Sequence, residues 1–310
     1  MEHLKIAIAV LALLAVQGCV SRAQYTPMTQ QTHDKIKTVE VYNFIAQDEI
    51  RPAVDLMNAS GALGGGLIGA MIDSSVNDDR ALSARDIAEP LYNATIDHDF
   101  RALHADAFST ELATQHRLSD DSQHNTPITM LDKAIERKAQ TLAAGEAFLF
   151  LTTHYSFIDA FKTLQTSVAA FLLVGEEGKK YSVSKPDFHN TYLYQSAMYG
   201  NGGSDSIAMW SADNGALYRQ EIGNSIQFIA EKLAQELTPM VDSPCAANVS
   251  VATFMFNGNR TRMGTLLAEE GSVSTVRIKK EGQVVFVNNT DVVKNSALPA
   301  GCEQGEANDA

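Results

Sequence analysis

The stretch Ala147–Tyr155, AFLFLTTHY, most constrains what this chain can fold into. A short run of apolar and β-branched side chains of this kind reads as a buried strand. The following segment, Phe157–Val174, fits two periods. Phe157, Phe161, Leu164, Val168 and Phe171 recur at helical spacing, whereas Leu164, Thr166, Val168, Ala170, Leu172 and Val174 alternate. The flanks decide between them. A strand precedes, FHNTYLYQSA (Phe188–Ala197) is strand-like after it, and Gly175-Glu176-Glu177-Gly178 is a natural hairpin turn. The region therefore reads as a β-meander.

Helical and strand patterns surround this centre. Lys37–Ile45 alternates and is rich in β-branched and aromatic residues, as a strand requires. Ser83-Ala84-Arg85-Asp86 has the form of a capping box, and Ile87, Leu91, Leu103, Ala107 and Leu112 then follow a helical face, with Pro90 marking a kink or the true start. Leu131–Leu142 reads as a second helix. Gly200–Ser206 reads as a loop. Ile222, Ile226, Ile229, Leu233 and Leu237 form the cleanest helical stripe, stopped by Pro239. Short strands follow over Val249–Val287. The expected class is α+β: a mainly antiparallel sheet packed with helices over residues 37–240, then a small C-terminal β module over 241–302 and a disordered tail over 303–310.

The N-terminus reads as an address. Lys5 precedes an apolar run from Ile6 to Val16, and the small residue Gly18 stands before Cys19. A basic start, a short apolar stretch and a small-residue cleavage point make a secretory signal over residues 1–18, too short for a permanent membrane span. Val16-Gln17-Gly18-Cys19 resembles the lipobox of bacterial lipoproteins. The resemblance implies cleavage before Cys19 and acyl chains, palmitate among them, on its sulfur and new amino group. Two or more chains on one residue give stable anchoring. Val20 in place of Asp implies sorting to the outer membrane. The polar stretch over 19–36 reads as a lipidated tether. In an oxidising compartment the remaining pair, Cys245 and Cys302, reads as a disulfide bond closing the β module, with a stabilisation of about 4 kcal/mol in the chain-entropy model.

The segment Ala59–Asp73, ASGALGGGLIGAMID, places Gly61, Gly65 and Gly69 four apart, on one face if helical, with Leu63, Leu67 and Met71 on another. Such small-residue faces let two backbones approach closely. The segment resembles the glycine zippers of bacterial envelope proteins. Three readings stand: a helix packed on the protein's own sheet, a face meeting a membrane or a second copy, and a glycine loop. The uncharged run from Leu56 to Ile72 is at the short limit for spanning, roughly 17 residues.

The net charge of −13 on 310 residues repels nucleic acid and anionic lipid in bulk. No GxSxG elbow, P-loop, HExxH or GxGxxG occurs. Asp97-His98-Asp99 with His104 and Asp106 is the densest set of potential ligands, and a solvated helix face explains it better than a metal centre. Glu176-Glu177 and Glu269-Glu270 read as turn residues. Tyr192, Tyr194, Tyr199 and Trp210 suit either a groove or the core. No cofactor and no metal are expected. The expected function is that of a non-enzymatic accessory or assembly protein of the cell envelope, on the periplasmic face of the outer membrane, with the bilayer as one partner through Cys19 and protein contact or self-association through Gly61–Gly69. The alternative is a periplasmic enzyme with a site near His154.

Overall fold

The computed structural model describes residues 25–45, 47, 50–52, 78–239, 247–255 and 258–295. Cys19, Cys245, Cys302, Gly61, Gly65, Gly69 and the tail over 303–310 lie outside the described residues.

In chain order the elements are α1 (Gln30–His33), β1 (Thr38–Ile45), β2 (Arg51–Pro52), α2 (Asp78–Ala94), α3 (Phe100–Gln115), β3 (Gln123–Thr126), α4 (Asp132–Gln140), β4 (Glu146–Ile158), β5 (Thr163–Val174), β6 (Phe188–Gln195), α5 (Gly203–Glu236), β7 (Asn248–Met255), β8 (Gly258–Glu270), β9 (Val273–Ile278), β10 (Val284–Asn288) and β11 (Val292–Lys294). The strands form one sheet in the order β11-β7-β8-β9-β10-β6-β5-β4-β1-β3, with β2 also against β4. The class is α+β. The sheet is mixed, which corrects the expectation of a mainly antiparallel one. The meander β4–β5–β6 is antiparallel, but β1 lies parallel to β4 and to β3, β2 parallel to β4, and β10 parallel to β6. The reason is connection length. Parallel neighbours need a crossover, and helices α2 and α3 lie between β1 and β4, while α5 lies between β6 and β10.

The long meander settles the ambiguous period of Phe157–Val174 in favour of a strand, because alternate residues divide between two covered faces. Leu149, Leu151, Leu164, Val168, Ala170, Leu172 and Tyr192 share one core with Leu91, Phe108, Leu112, Ile222, Ile226 and Leu233 of the helices. On the opposite face Phe148, Phe150 and Leu173 pack with Tyr42 and Phe44 under Ile135 and Ala139 of α4. Helix α2 begins at Asp78, before the capping-box residues Ser83–Asp86, and runs through Pro90. Helix α3 starts afresh, its N-cap Asp99 accepting from the Ala102 amide at 3.0 Å. The connection after β5 is longer than a tight hairpin and reaches Phe188. Helix α5 begins at Gly203, inside the expected loop, and is broken by left-handed backbone at Asp213, Asn214 and Gly215.

The C-terminal strands continue the same sheet through β10 beside β6. They also curl, since Val249 and Val251 of β7 share a core with Leu193, Val276, Val285 and Val287. Two features of β8 permit the curl. A bulge falls between Leu266 and Ala268, and Gly264 lies so close to β9 that a Cβ there would stand 2.3 Å from Val276 Cγ1.

The described part of the expected tether is docked. Thr26 and His189 exchange backbone hydrogen bonds of 2.9 and 3.0 Å, and Met28 is buried. The Tyr25 ring lies 4.8 Å from the Arg277 guanidinium carbon.

Candidate functional site: the outer face of the central meander

Strand alternation sends Leu151, Tyr155 and Phe157 of β4 toward the helices, and therefore sends Thr152, His154 and Ser156 the other way. The register carries this outer face across the sheet. His154 stands opposite Ser167, which stands opposite Leu193, and Thr152 stands opposite Ala169, then Thr191. Ser156, Gln165 and Gln195 form a third row. Thr152, His154, Gln165, Ser167, Ala169 and Thr191 are half-buried, while Ser156, Thr163 and Gln195 are buried. The floor between the core under α4 and the curled C-terminal strands thus consists mainly of hydroxyls, amides and one imidazole, with Ala169 and Leu193 among them, and these rows hold no Asp, Glu, Lys or Arg. Thr163 Oγ1 is buried without a hydrogen-bond partner among the described residues. Between α4 and the loop before β6, a hollow of about 510 Å³ is lined by Lys133, Glu136, Arg137, Gln140 and Tyr181.

The helix side of the sheet holds ionisable groups of a different kind, each spent on fastening helix to strand. Glu221 of α5 accepts from Tyr194 Oη at 2.6 Å and from Tyr199 Oη at 2.8 Å. Burial raises both phenols above their ordinary range, and the adjacent Glu221 carboxylate reinforces the rise. Glu236 accepts from Asn190 Nδ2 at 2.6 Å, Tyr192 Oη at 2.9 Å and Arg277 Nη2 at 2.7 Å, with Lys232 Nζ 3.9 Å away. Helix α5 is thereby tied to β6 and β9 at once. His104 of α3 is fully buried. Its Nδ1 faces Asn43 Nδ2 at 2.7 Å and its Nε2 faces Thr153 Oγ1 at 2.8 Å. Asn43 Nδ2 also donates to the His124 carbonyl at 2.6 Å, so its amide supplies hydrogens and the His104 Nδ1 is an acceptor. The ring is therefore neutral, and burial lowers its pKa to about 3.

The sequence-selected groups are dispersed. Asp97 bonds Arg219, Asp99 caps α3, His98 stands edge-on to Tyr218 at 5.6 Å, and His104 points into the core. Among the described residues no group of three or more His, Cys, Asp or Glu side chains is arranged to hold a metal ion. Glu176 pairs with Lys35 and Glu269 with Lys294. Tyr192, Tyr194 and Trp210 are core residues, and Trp210 Nε1 donates to the Phe161 carbonyl at 2.7 Å. Sequence reasoning passed over Glu221, Lys232, Glu236 and Asn43. A signal existed: Glu221, Ser225, Lys232 and Glu236 form a polar row beside the apolar stripe of α5. Comparison with protein-family models, with curated proteins and with solved structures finds no match to this chain.

Proposed function

We propose that the protein is a non-enzymatic accessory or assembly protein of the bacterial envelope, anchored by lipid on Cys19 at the periplasmic face of the outer membrane, and that the outer face around His154 and Ser167 meets a protein partner. The observation that carries this reading is the contrast between the two sides of the sheet. On the helix side, the buried acids Glu221 and Glu236 and the buried His104 are consumed in structural hydrogen bonds. On the outer side, the half-buried hydroxyls of Thr152, Ser167 and Thr191 are small polar groups placed to meet another polypeptide. The lipobox-like Val16–Cys19 supplies the address.

A photo-crosslinking residue at Ser167, in the full chain expressed in its native envelope, tests this. A discrete adduct with one envelope protein, missing when the same residue is placed at the exposed Gln235, supports the reading. Equal, diffuse labelling from both positions overturns it. The second reading is an enzyme with a site near His154, and the register that sets His154 opposite Ser167 is what favours it. His154→Ala separates the two: a binding face keeps its adduct, whereas an imidazole-dependent reaction is lost.

A further inference from the structure

The free length between the lipid and the folded body is short. The chain is docked from Tyr25 onward, through the Thr26–His189 bridge and the Tyr25–Arg277 contact. Six residues from Cys19 reach at most about 20 Å. The acylated residue sits at the bilayer surface, so the Tyr25 end of the body must lie that close to the headgroups.

The charge of that end differs from the rest of the molecule. The elements around Tyr25 are the turn after β9, the loop 175–187 leading into β6, and the entry to β1. They carry Lys37, Lys180, Lys185, Lys279 and Lys280, all exposed and none in an ion pair among the described residues, against the exposed Glu177 and against Glu176, Asp187 and Glu281, which pair with Lys35, Lys179 and Arg262. The opposite end, at the β4–β5 turn and the break in α5, carries exposed Asp99, Asp205 and Asp213, none in an ion pair among the described residues. Its cations are consumed: Lys162 pairs with Asp159 at 2.7 Å and Arg219 with Asp97 at 2.5 Å. A chain with net charge −13 is repelled by an anionic surface in bulk, and the unpaired lysines of this end offset that repulsion locally.

We propose that the lysine-bearing end formed by Lys180, Lys185, Lys279 and Lys280 rests on an anionic lipid surface, held there by the short link from Cys19, with the aspartate-rich end pointing away. This pose rests on the lipid-anchor reading above. It gives the body a fixed orientation, with the outer face around His154 roughly upright on the bilayer and turned toward partners in the same membrane.

Lysine footprinting tests the pose. The mature lipidated chain is placed in vesicles of phosphatidylethanolamine and phosphatidylglycerol, or in neutral detergent micelles. It is then labelled with a small acetylating reagent and read by mass spectrometry. Lys180, Lys185, Lys279 and Lys280 should label several-fold more slowly on vesicles than on micelles. High salt should shrink the difference, and Lys162 at the far end should not change. Inserting about twenty Gly/Ser residues between Arg22 and Ala23, which adds about 25 Å of reach, should restore labelling while the chain still floats with the vesicles. Protection that survives the insertion overturns the tether-held pose. A chain that floats while its four lysines label as fast as on micelles overturns the pose and leaves the anchor standing. A chain that does not float overturns both.

Discussion

His104 shows how one side chain can set the acid limit of the fold. Its neutral ring is bonded on both nitrogens, and its pKa is lowered to about 3 by burial, far below the 6.5 of an unfolded histidine. Folding therefore prefers the unprotonated form. The stabilisation is complete above pH 6.5 and is lost as the pH falls from there toward 3. Between pH 7 and pH 5 the loss from this residue should be about 2 kcal/mol. His98, His116 and His124 are shifted downward by burial as well and add to the slope. Urea midpoints at the two pH values measure it. His104→Leu should flatten the profile while lowering stability at pH 7 by roughly 1–3 kcal/mol, because Asn43 and Thr153 lose their partner in the core. Gly282 is the second telling residue. Its φ is +71°, and a Cβ would fall 2.2 Å from Tyr25 Cβ. Gly282→Ala should push Tyr25 off and expose the Thr26–His189 bridge to hydrogen exchange, with little change in global melting temperature. Neither residue stands out in the sequence. His104 was one of several histidines near acids, and nothing local says which one a strand three elements away will bond.

Among the elements, α5 is the fastener. One helix carries the apolar stripe and the two buried carboxylates that reach β6 and β9. Arg277→Leu would leave Glu236 buried with only the more distant Lys232 for charge balance, and should cost about 3–5 kcal/mol by chemical denaturation. Adding Glu236→Leu should recover part of that loss, since a matched apolar pair avoids the stranded charge; additive costs in this cycle would contradict the coupling. The stripe itself was legible because helical spacing is a local property of α5. The meander was legible because its flanks fixed the period. Strand β8 was not: GNRTRMGTLLAEE has glycines and charges where a strand pattern would have apolar residues, and it is a strand because β7 and β9 hold it from both sides. The direction of β1 was equally hidden, since nothing in Lys37–Ile45 says that its partner is β4 or that the two run parallel.

For the whole molecule, the proposed anchor on Cys19 would decide location. Cys19→Ser should release the protein from the membrane fraction or block its processing, as fractionation and intact mass would show; a Cys19→Ser protein that remains membrane-bound at the same mass difference from the precursor contradicts lipid anchoring. The sheet order has a bearing on export. Strand β1 is made early but must wait for β4, with Thr38 opposite Glu146, and β6 completes its outer side with β10, with Tyr192 opposite Val284. Pairings so distant in the chain close only after large loops have been brought together, which slows folding. Refolding from urea should accordingly fall in the slow range of mixed and β-rich domains, with amide protection in β4 and β5 preceding that in β1. If the chain crosses a membrane, as proposed above, such slowness would be an asset. Strand β10 reaches β6 only after the long helix α5 has been made, so the sheet stays incomplete until the last strands have emerged, and on the proposed route the chain would remain threadable for longer.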